Sequence, residues 1–361
     1  MKIAVDAMGG DHAPGVVVEG SVIAAREFGA EIILVGREDD IRRELARHNI
    51  NGLSMTIVHA SEVIEMHDHT MAVKEKKNNS LSVGMQLLKE RKADAFVSAG
   101  NSGAVMAAAL FGLGRIRGID RPALASRYPA SVKPTILLDL GVNTDPKPVN
   151  LVQNAVMGSL YARLALGIPN PRVAIVSNGE EPDKGSLLVR DTYKLLRDSP
   201  LNFIGNVEGK DIPQGAADVI VTDGFTGNVV LKLTEGIVSF LGTFLKESLT
   251  RGWLNKIGLI LMVPGLVLML PGLLFLWPAI RRLRRHVDYR ELGAAPLLGV
   301  DGVVLIAHGR SDALAIRGAI RSAIRVAEGG IVEAIKAGLA EQVAHAAAPA
   351  NQSPIDRVKS H

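Results

Sequence analysis

Short aliphatic runs alternate with longer amphipathic stretches along the chain, and this alternation limits the fold more than any other feature. The pattern predicts strands joined by helices, which is typical of a mostly parallel sheet covered by helices, an α/β fold. The predicted strands are residues 2–5, 31–36, 54–60, 94–100, 134–141, 172–179, 202–207, 218–224 and 303–309. The predicted helices are residues 15–29, 38–48, 80–92, 102–113, 149–166, 185–197, 228–249 and 312–328.

Composition excludes several other classes of protein. Apolar residues make up 47% and charged residues 22% of the 361 residues, as in ordinary globular proteins. The chain has no cysteine, which excludes disulfides, cysteine-ligated zinc, iron–sulfur clusters and a cysteine nucleophile. The N-terminal MKIAVDAMGGD lacks the apolar core of a signal peptide, so we expect a cytoplasmic protein. A net charge of only +4 gives no basis for a nucleic-acid partner.

One segment departs from this composition, and it divides the predicted domain. We expect a single α/β catalytic domain over residues 1–335, interrupted by an apolar insertion at residues 251–286. No charged side chain occurs from Ile257 to Ile280, and four arginines follow within the next five residues. The small and polar residues at 340–361 predict a disordered tail.

Three interpretations of the apolar insertion remain open. It is long enough to span a bilayer, but Pro264, Pro271 and Pro278 argue against one straight helix. A buried core helix or a dimer contact would also be apolar. A helical hairpin that dips into the membrane surface and is anchored by the arginines is favoured, because apolar burial and a polybasic flank together attach proteins to membranes.

Loops rich in glycine and small polar residues follow several predicted strands. In open α/β sheets, ligands bind beyond the carboxyl ends of the strands, so these loops are candidates for one shared site. Glycines bring backbone N–H groups close to an anion, and helix N-termini attract phosphate. The sequence predicts such an anion site, and no dinucleotide or P-loop motif and no metal-ligand spacing is present. The candidate residues are Asp6, Gly9, Gly10, His12, Asn101, Ser102, Gly103, Lys184, Asp223, Gly224, Asn228, His308, Gly309 and Arg310.

Each of these residues also has an ordinary structural interpretation. His12 is either a general base or anion contact, or a loop histidine held by Asp6 or Asp11. Asn101 is either a phosphate donor or a helix N-cap. Lys184 is either a phosphate-binding cation or an exposed turn lysine. From the residues alone, the chain is an anion-binding α/β enzyme that contacts a membrane, and its reaction stays open.

Ordered sequence blocks then connect the chain with a known family. It resembles the phosphate acyltransferases of bacterial phospholipid synthesis, also called acyl-ACP:phosphate acyltransferases, from Met1 to about residue 335. The likeness rests on DAMGGDHAP (6–14), SAGNSGA (98–104), GRIRGIDRPALA (114–125), LVQNAVMGSLYA (151–162), GEEPDKG (179–185), NFIGNVEGKDI (202–212), TDGFTGNVVLK (222–232), APLLGVDG (295–302) and AHGRS (307–311).

The resemblance implies a three-layer αβα Rossmann-like fold, related to isopropylmalate dehydrogenases and phosphotransacetylases. It implies a cytoplasmic homodimer, peripherally associated with the membrane surface, that needs no cofactor. It further implies transfer of a long-chain acyl group from acyl carrier protein to inorganic phosphate, which feeds a downstream membrane glycerol-3-phosphate acyltransferase. The apolar stretch 257–280 is longer and richer in proline than in the family, which predicts a stronger membrane attachment.

On this basis Lys184, Asn228 and His12 are predicted to be catalytic, and the other candidate residues are predicted to bind phosphate or the acyl group. Phosphate is placed at Asn101, Ser102, Gly103 and Lys184, and the acidic carrier protein at Arg115, Arg117 and Arg121. Direct attack of phosphate on the thioester is preferred to an acyl-enzyme on Ser102. Two alternatives are a phosphotransacetylase that uses acyl-CoA and a non-catalytic membrane scaffold.

Overall fold

A computed structural model describes residues 1–131, 134–251, 276–277 and 294–347. Its strands are β1 (Lys2–Asp6), β2 (Glu31–Gly36), β3 (Met55–His59), β4 (Ala95–Ser98), β5 (Ala123–Leu124), β6 (Ser126–Tyr128), β7 (Thr135–Leu138), β8 (Val173–Val176), β9 (Phe203–Val207), β10 (Val219–Val221), β11 (Ala295–Leu298) and β12 (Val304–Ile306). Its helices are α1 (Gly15–Phe28), α2 (Glu38–Leu45), α3 (Ala72–Glu75), α4 (Ser80–Lys89), α5 (Ser102–Gly112), α6 (Pro148–Leu166), α7 (Leu187–Arg197), α8 (Gly224–Thr250), α9 (Ala313–Glu328) and α10 (Ile331–Ala347).

The strands form two sheets. The first has the order β3-β2-β1-β4-β12-β11-β5, and the second has the order β6-β7-β10-β8-β9. The predicted α/β fold with mostly parallel pairing is confirmed, but one sheet was expected. The chain leaves the first sheet for the second between β5, which pairs with β11, and β6, which pairs with β7. Only Ala125 separates β5 from β6 at this crossing.

Every predicted strand is present, and these are the strands that pair in parallel, as β1 does with β2 and β4. Parallel strands are buried on both faces, so they have continuous aliphatic sequences. The three strands that the sequence analysis missed are β5, β6 and β11. Each pairs antiparallel with a neighbour, is two to four residues long and lacks the continuous aliphatic run of the parallel strands.

The predicted helices are confirmed within a few residues, and α3 and α10 were missed. Helix α10 reaches Ala347, so the prediction of a disordered tail from residue 340 is wrong over its first eight residues, 340–347. The helix forms because Ile331, Ile335 and Leu339 recur at four-residue spacing and are buried, and α10 packs on α6. The rest of the predicted tail, and the insertion at 251–286 apart from residues 251 and 276–277, lie outside the described residues.

Helix α6 joins the two sheets into one core. It packs on β7 and β10 of the second sheet, and also on α9 and α10. Helix α9 in turn packs on β4 and β12 of the first sheet. Buried side chains of both sheets therefore belong to one continuous apolar cluster, with Leu151, Ala155 and Met157 of α6 among its members. The prediction of one domain over residues 1–335 is compatible with this shared core and stays a prediction.

Helix α8 differs from the other helices because its apolar side chains are exposed. Leu233, Phe240 and Leu245 are 61%, 63% and 60% exposed. By length and composition, the segment Gly224–Ser248 could cross a membrane, and none of its apolar window is buried in the described structure. In other proteins, exposed apolar surfaces of this kind are covered by a protein partner or by a membrane.

Candidate active site

Asp6 holds together two loops at the carboxyl edge of the first sheet. Its side chain is 2% exposed, and its Oδ2 accepts the Ser98 hydroxyl hydrogen at 2.7 Å. Its Oδ1 accepts the backbone N–H of Met8 at 3.1 Å. Burial raises the pKa of the Asp6 carboxyl, although the hydrogen bond from Ser98 acts in the opposite direction. These contacts make Asp6 a support for the loops after β1 and β4, and its predicted part in substrate binding stays a prediction.

Two glycines in the loop after β1 allow three loops to meet. A Cβ atom on Gly9 would lie 2.3 Å from Asp6 Oδ2 and 2.7 Å from Gly100 N, so no side chain fits there. Gly10 has a φ of +111°, which favours glycine, and the next residue, Asp11, donates its N–H to Gly309 O at 2.8 Å. The loops 6–12, 98–103 and 307–311, called here the first-sheet loops, therefore form one surface, as the sequence predicted.

Asn101 caps helix α5 and also anchors a loop that sequence analysis missed. Its Oδ1 accepts the N–H of Ala104 at 3.1 Å, which confirms the N-cap interpretation. Its Nδ2 donates to Met66 O at 3.1 Å and to Asp68 O at 3.0 Å. Both amide hydrogens are thus occupied. The groups at this helix N-terminus that are free to bind an anion are the backbone N–H groups of residues 102 and 103 and the exposed Ser102 hydroxyl.

The segment 66–70 covers the first-sheet loops. Besides its contacts with Asn101, it lies close to two glycines of these loops. A Cβ atom on Gly103 would lie 2.9 Å from Thr70 Oγ1, and a Cβ atom on Gly309 would lie 2.6 Å from Met66 Cε. The Lys76 ammonium, 2.5 Å from Asp68 Oδ2, fixes its position and holds the pKa of that carboxyl below its usual range. Nothing in its sequence resembles a binding motif, and only the fold places it there.

The polar side chains at the rim of the first-sheet loops are exposed. His308 Nδ1 accepts the backbone N–H of Arg310 at 3.1 Å, and both residues face solvent. The His12 side chain is also exposed, and no hydrogen bond joins it to Asp6 or Asp11 within the described part of the chain. The interpretation in which a carboxylate holds His12 is therefore not supported, and a role in binding or proton transfer stays a prediction.

A second buried aspartate organises the loops of the second sheet. Asp139 follows β7, and its Oδ2 accepts the backbone N–H of Asn143 at 2.7 Å and its side-chain amide at 2.8 Å. Burial raises the pKa of the Asp139 carboxyl, although the hydrogen bonds from Asn143, Leu124 and Val142 act in the opposite direction. The N–H of Gly224 donates to Asn143 O at 2.7 Å, which joins the start of α8 to this loop.

This arrangement places Asn228 at the same edge. A Cβ atom on Gly141 would lie 3.5 Å from Asn228 Cβ, so the first turn of α8 rests on the loop after β7. The Asn228 side chain is exposed. Asp223 caps the helix, because its Oδ1 accepts the N–H of Thr226 at 2.8 Å. Asp223 and Gly224 thus position Asn228, and their predicted contact with substrate stays a prediction.

Lys184 lies on the loop after β8. Its backbone N–H donates to Glu181 O at 3.1 Å, and Asn206 of β9 donates its Nδ2 to the same oxygen at 2.6 Å. The Lys184 ammonium is exposed, with no hydrogen bond or ion pair to any described residue. Ser177 on the same loop is a candidate that sequence analysis missed, since its buried Oγ has no partner in the described structure. The loops 139–143, 177–185 and 222–228 are called here the second-sheet loops.

A cavity of about 260 Å³ lies between helix α5 and the loop after β7. One wall is helix α5, with Met106 and Leu110, and another is the loop after β7, with Val142 and Asn143. Ser102 lies one turn before Met106, and Gly141 next to Val142 contacts Asn228. The cavity thus begins one helical turn after Ser102 on one wall and one residue after Gly141, which Asn228 contacts, on the other. No hydrogen bond among the described residues links Lys184 to the first-sheet loops.

Among the described residues, one group of carboxylates has the spacing of a cation site. Glu180, Glu208 and Asp211 have oxygens within 4.8 Å of one another. The Lys210 ammonium already contacts Glu208, and exposed acidic groups are common without an ion. No metal role is assigned to them.

The two sheets and their converging loops define the class of the protein: an α/β fold with loops of glycine and small polar residues beyond the carboxyl ends of its strands, the place where proteins of this class bind ligands. The family model described as "Fatty acid synthesis protein" matches residues 1–334, so the chain belongs to that family. A phosphate acyltransferase of Geotalea daltonii is 50% identical over 332 residues, which is 92% of each chain. One from Pelobacter propionicus is 49% identical over 342 residues, covering 94% of this chain and 95% of the relative. The predicted family, and with it an acyltransferase, is confirmed.

Solved structures agree on the fold. A phosphotransacetylase from Streptococcus pyogenes superposes with a TM-score of 0.58 at 16% identity, covering 91% of this chain and 94% of that one. A phosphotransacetylase from Staphylococcus aureus gives a TM-score of 0.55 at the same identity and coverage. At this identity the likeness shows the fold alone, and it confirms the predicted three-layer αβα, phosphotransacetylase-like class.

Proposed function

We propose that the chain transfers a long-chain acyl group from acyl carrier protein to inorganic phosphate, which gives acyl phosphate for phospholipid synthesis. The observation that carries the proposal is the cavity between α5 and the loop after β7, which begins one turn after the open N-terminus of α5 and next to Gly141, the glycine that Asn228 contacts. Phosphate needs a site rich in N–H donors, and the thioester carbonyl needs donors for its developing negative charge. The site offers the backbone N–H groups of residues 102 and 103 on one side and the Asn228 amide on the other.

In the proposed reaction, a phosphate oxygen forms a bond to the thioester carbonyl carbon. The carbonyl oxygen becomes an oxyanion, and the Asn228 amide is positioned to donate to it. The carbon–sulfur bond then breaks, and the carrier thiolate leaves and takes up a proton. Lys184 supplies positive charge for the phosphate, and His12 or His308 at the rim is available to move a proton. Holding phosphate against the thioester contributes much of the rate by orientation.

Direct attack is supported over an acyl-enzyme on Ser102. A serine nucleophile needs a base within hydrogen-bond reach and a third group that orients this base. Among the described residues, no histidine or carboxylate forms a hydrogen bond to the Ser102 hydroxyl. Ser102 is instead the first residue of α5, where its backbone N–H is available as a donor.

Acyl phosphate formation is the first measurement. Purified protein is mixed with palmitoyl-ACP and inorganic phosphate, and the product is trapped with hydroxylamine. We expect hydroxamate that depends on phosphate, because free phosphate is the proposed nucleophile. Palmitoyl-CoA and buffer without phosphate are the controls.

The three outcomes separate the alternatives. Hydroxamate with palmitoyl-ACP supports the carrier protein as donor. Product with palmitoyl-CoA alone would overturn that donor and favour a phosphotransacetylase. Absence of product with either donor, from folded protein, would contradict the proposed activity and favour a non-catalytic membrane scaffold.

We further propose that the chain is a cytoplasmic homodimer that binds the membrane surface peripherally. The exposed apolar side chains of α8 support a covered surface, and the arginines after residue 280 would attract anionic lipid. The product supports it too, since an acyl phosphate with a long chain passes to the membrane glycerol-3-phosphate acyltransferase. The exposed cations Arg115, Arg117 and Arg121 are proposed to dock the acidic carrier protein.

Substitution of the stacked pair Phe240 and Phe244 by glutamate tests this surface. We expect the wild-type chain to have twice the mass of one chain by light scattering and to sediment with anionic vesicles. The double variant should lose dimerisation, vesicle binding or both, because charge is costly on a covered apolar face. Leu187→Glu, at an exposed leucine of α7, should change neither. A monomeric wild-type chain that stays in the supernatant would contradict both proposals.

A further inference from the structure

The cavity between α5 and the loop after β7 has a chemical character of its own. Its apolar lining comes from Met106 and Leu110 on α5 and from Pro122 and Val142 on two loops. Asn143 adds no free donor, because its two amide hydrogens are bonded to Pro122 O and Asp139 Oδ2, each at 2.8 Å. The inner surface therefore suits a hydrocarbon better than a polar group.

The apolar lining continues directly from the proposed phosphate site. Ser102, Met106 and Leu110 are spaced four residues apart, so they lie along one face of α5. At 1.5 Å rise per residue, Leu110 lies about 12 Å from Ser102 along the helix axis. On the opposite wall, Val142 is adjacent to Gly141, on which Asn228 rests. A ligand that reacts beside residue 102 and Asn228 can thus extend an apolar tail along α5.

Apart from Asn143, the polar part of the cavity lining is charged, with Arg115, Asp120 and Arg121 beside the apolar side chains. The Arg121 guanidinium is exposed, and it has no ion pair or hydrogen bond to any described residue. The neighbouring Arg115 guanidinium donates to the backbone oxygen of Asp120 and stiffens this part of the lining. A ligand with an apolar chain and a charged end, such as an acyl phosphate, is compatible with this lining.

We infer that this cavity binds the part of the acyl chain nearest the carbonyl and that Met106, Leu110 and Val142 determine how much of it is held. The inference rests on the proposed acyl transfer to phosphate. A volume of about 260 Å³ lies just below the range of pockets that enclose a whole small molecule. The cavity therefore takes the first methylenes of a long chain, and the remainder lies outside it.

Alkyl phosphates of increasing length test the inference without catalysis. Butyl, hexyl, octyl and decyl phosphate are titrated by calorimetry below the concentrations at which they form micelles. We expect affinity to rise about fourfold for each methylene that is buried, from about 0.8 kcal/mol per CH₂, and to level off when the cavity is full. The variants Met106→Trp and Val142→Trp fill the cavity from opposite walls, so both should flatten this dependence.

The matched control is Leu195→Trp, which adds the same side chain at an exposed leucine of α7. It should keep the wild-type dependence on chain length. Thermal unfolding of each variant shows whether it is folded. Because the two tryptophans fill the cavity from opposite walls, the test can still be made if one variant fails to fold. The inference is wrong if folded Met106→Trp and Val142→Trp keep the wild-type increase in affinity per methylene.

The hydroxamate assay separates this result from the proposed function. Wild-type chain that forms acyl phosphate while the tryptophan variants keep the wild-type ratio of long-chain to short-chain activity would overturn only the acyl cavity. Wild-type chain that binds alkyl phosphates through the cavity but forms no acyl phosphate would overturn only the reaction.

Discussion

Lys184→Ala is expected to lower kcat/KM for acyl phosphate formation by about 100- to 1000-fold, the usual effect of removing one donor that stabilises the reacting charge. The ammonium is exposed and has no partner in the described part of the chain, so its removal breaks no structural contact. The melting temperature should therefore stay unchanged while activity falls. Initial rates at varied phosphate, with thermal unfolding in parallel, measure both effects.

Lys194→Ala is the matched control, because Lys194 is an exposed lysine on α7 whose ammonium pairs, among the described residues, only with Asp191, at 3.1 Å. It should retain wild-type activity. Lys184→Arg keeps the charge but changes its geometry, and an intermediate rate is expected. If Lys184→Ala loses less than threefold in kcat/KM, Lys184 is the exposed turn lysine of the alternative interpretation.

Gly227→Ala is expected to have the largest effect on structure at the site. A Cβ atom there would lie 1.9 Å from Asp139 O and 3.0 Å from Thr222 Cγ2, so the first turn of α8 must move away from β7. Overpacking of this kind destabilises proteins by about 1–3 kcal/mol. The movement would also withdraw Asn228 from Gly141, so we expect activity to fall at least about tenfold along with the melting temperature.

Gly236→Ala provides the control within the same helix. A Cβ atom at Gly236 meets nothing within 4 Å, and alanine stabilises a helix interior by about 0.5–1 kcal/mol relative to glycine. The two substitutions are chemically identical and should shift the melting temperature in opposite directions. Equal melting temperatures and equal activities for the two variants would show that the α8 N-terminus does not depend on this close approach.

Sequence analysis found the parallel strands because of where they lie. Strands such as β1 and β10 are buried on both faces. Their buried positions are therefore occupied by aliphatic residues, which form a continuous apolar run in the sequence. The antiparallel strands β5, β6 and β11 have two to four residues; β6 and β11 each pair with the next strand in the chain, but β5 pairs with the distant β11. A local sequence pattern does not specify which distant strand β5 pairs with, so the division into two sheets could not be predicted.

Most of the candidate residues were found because their chemistry is local. Glycines that allow close backbone approach, a helix N-cap and a lysine after a turn are all visible as residue types after strands. Their hydrogen bonds, in contrast, cannot be read from residue types. The donation of both Asn101 amide hydrogens to the segment 66–70, and the support of Asn228 by Gly141, depend on contacts across 33 residues or more.

The order of residues alone therefore specified the family, the alternation of strands and helices, and the loops that carry the candidate site residues. These features follow from local periodicity, turn chemistry and ordered motifs, each of which lies within a few residues. The tertiary structure decided that there are two sheets, that α10 extends into the predicted tail, and that one cavity joins α5 to the loop after β7. The physical reason is that pairing, burial and cavity shape arise between segments distant in the chain, whose mutual packing no local pattern encodes.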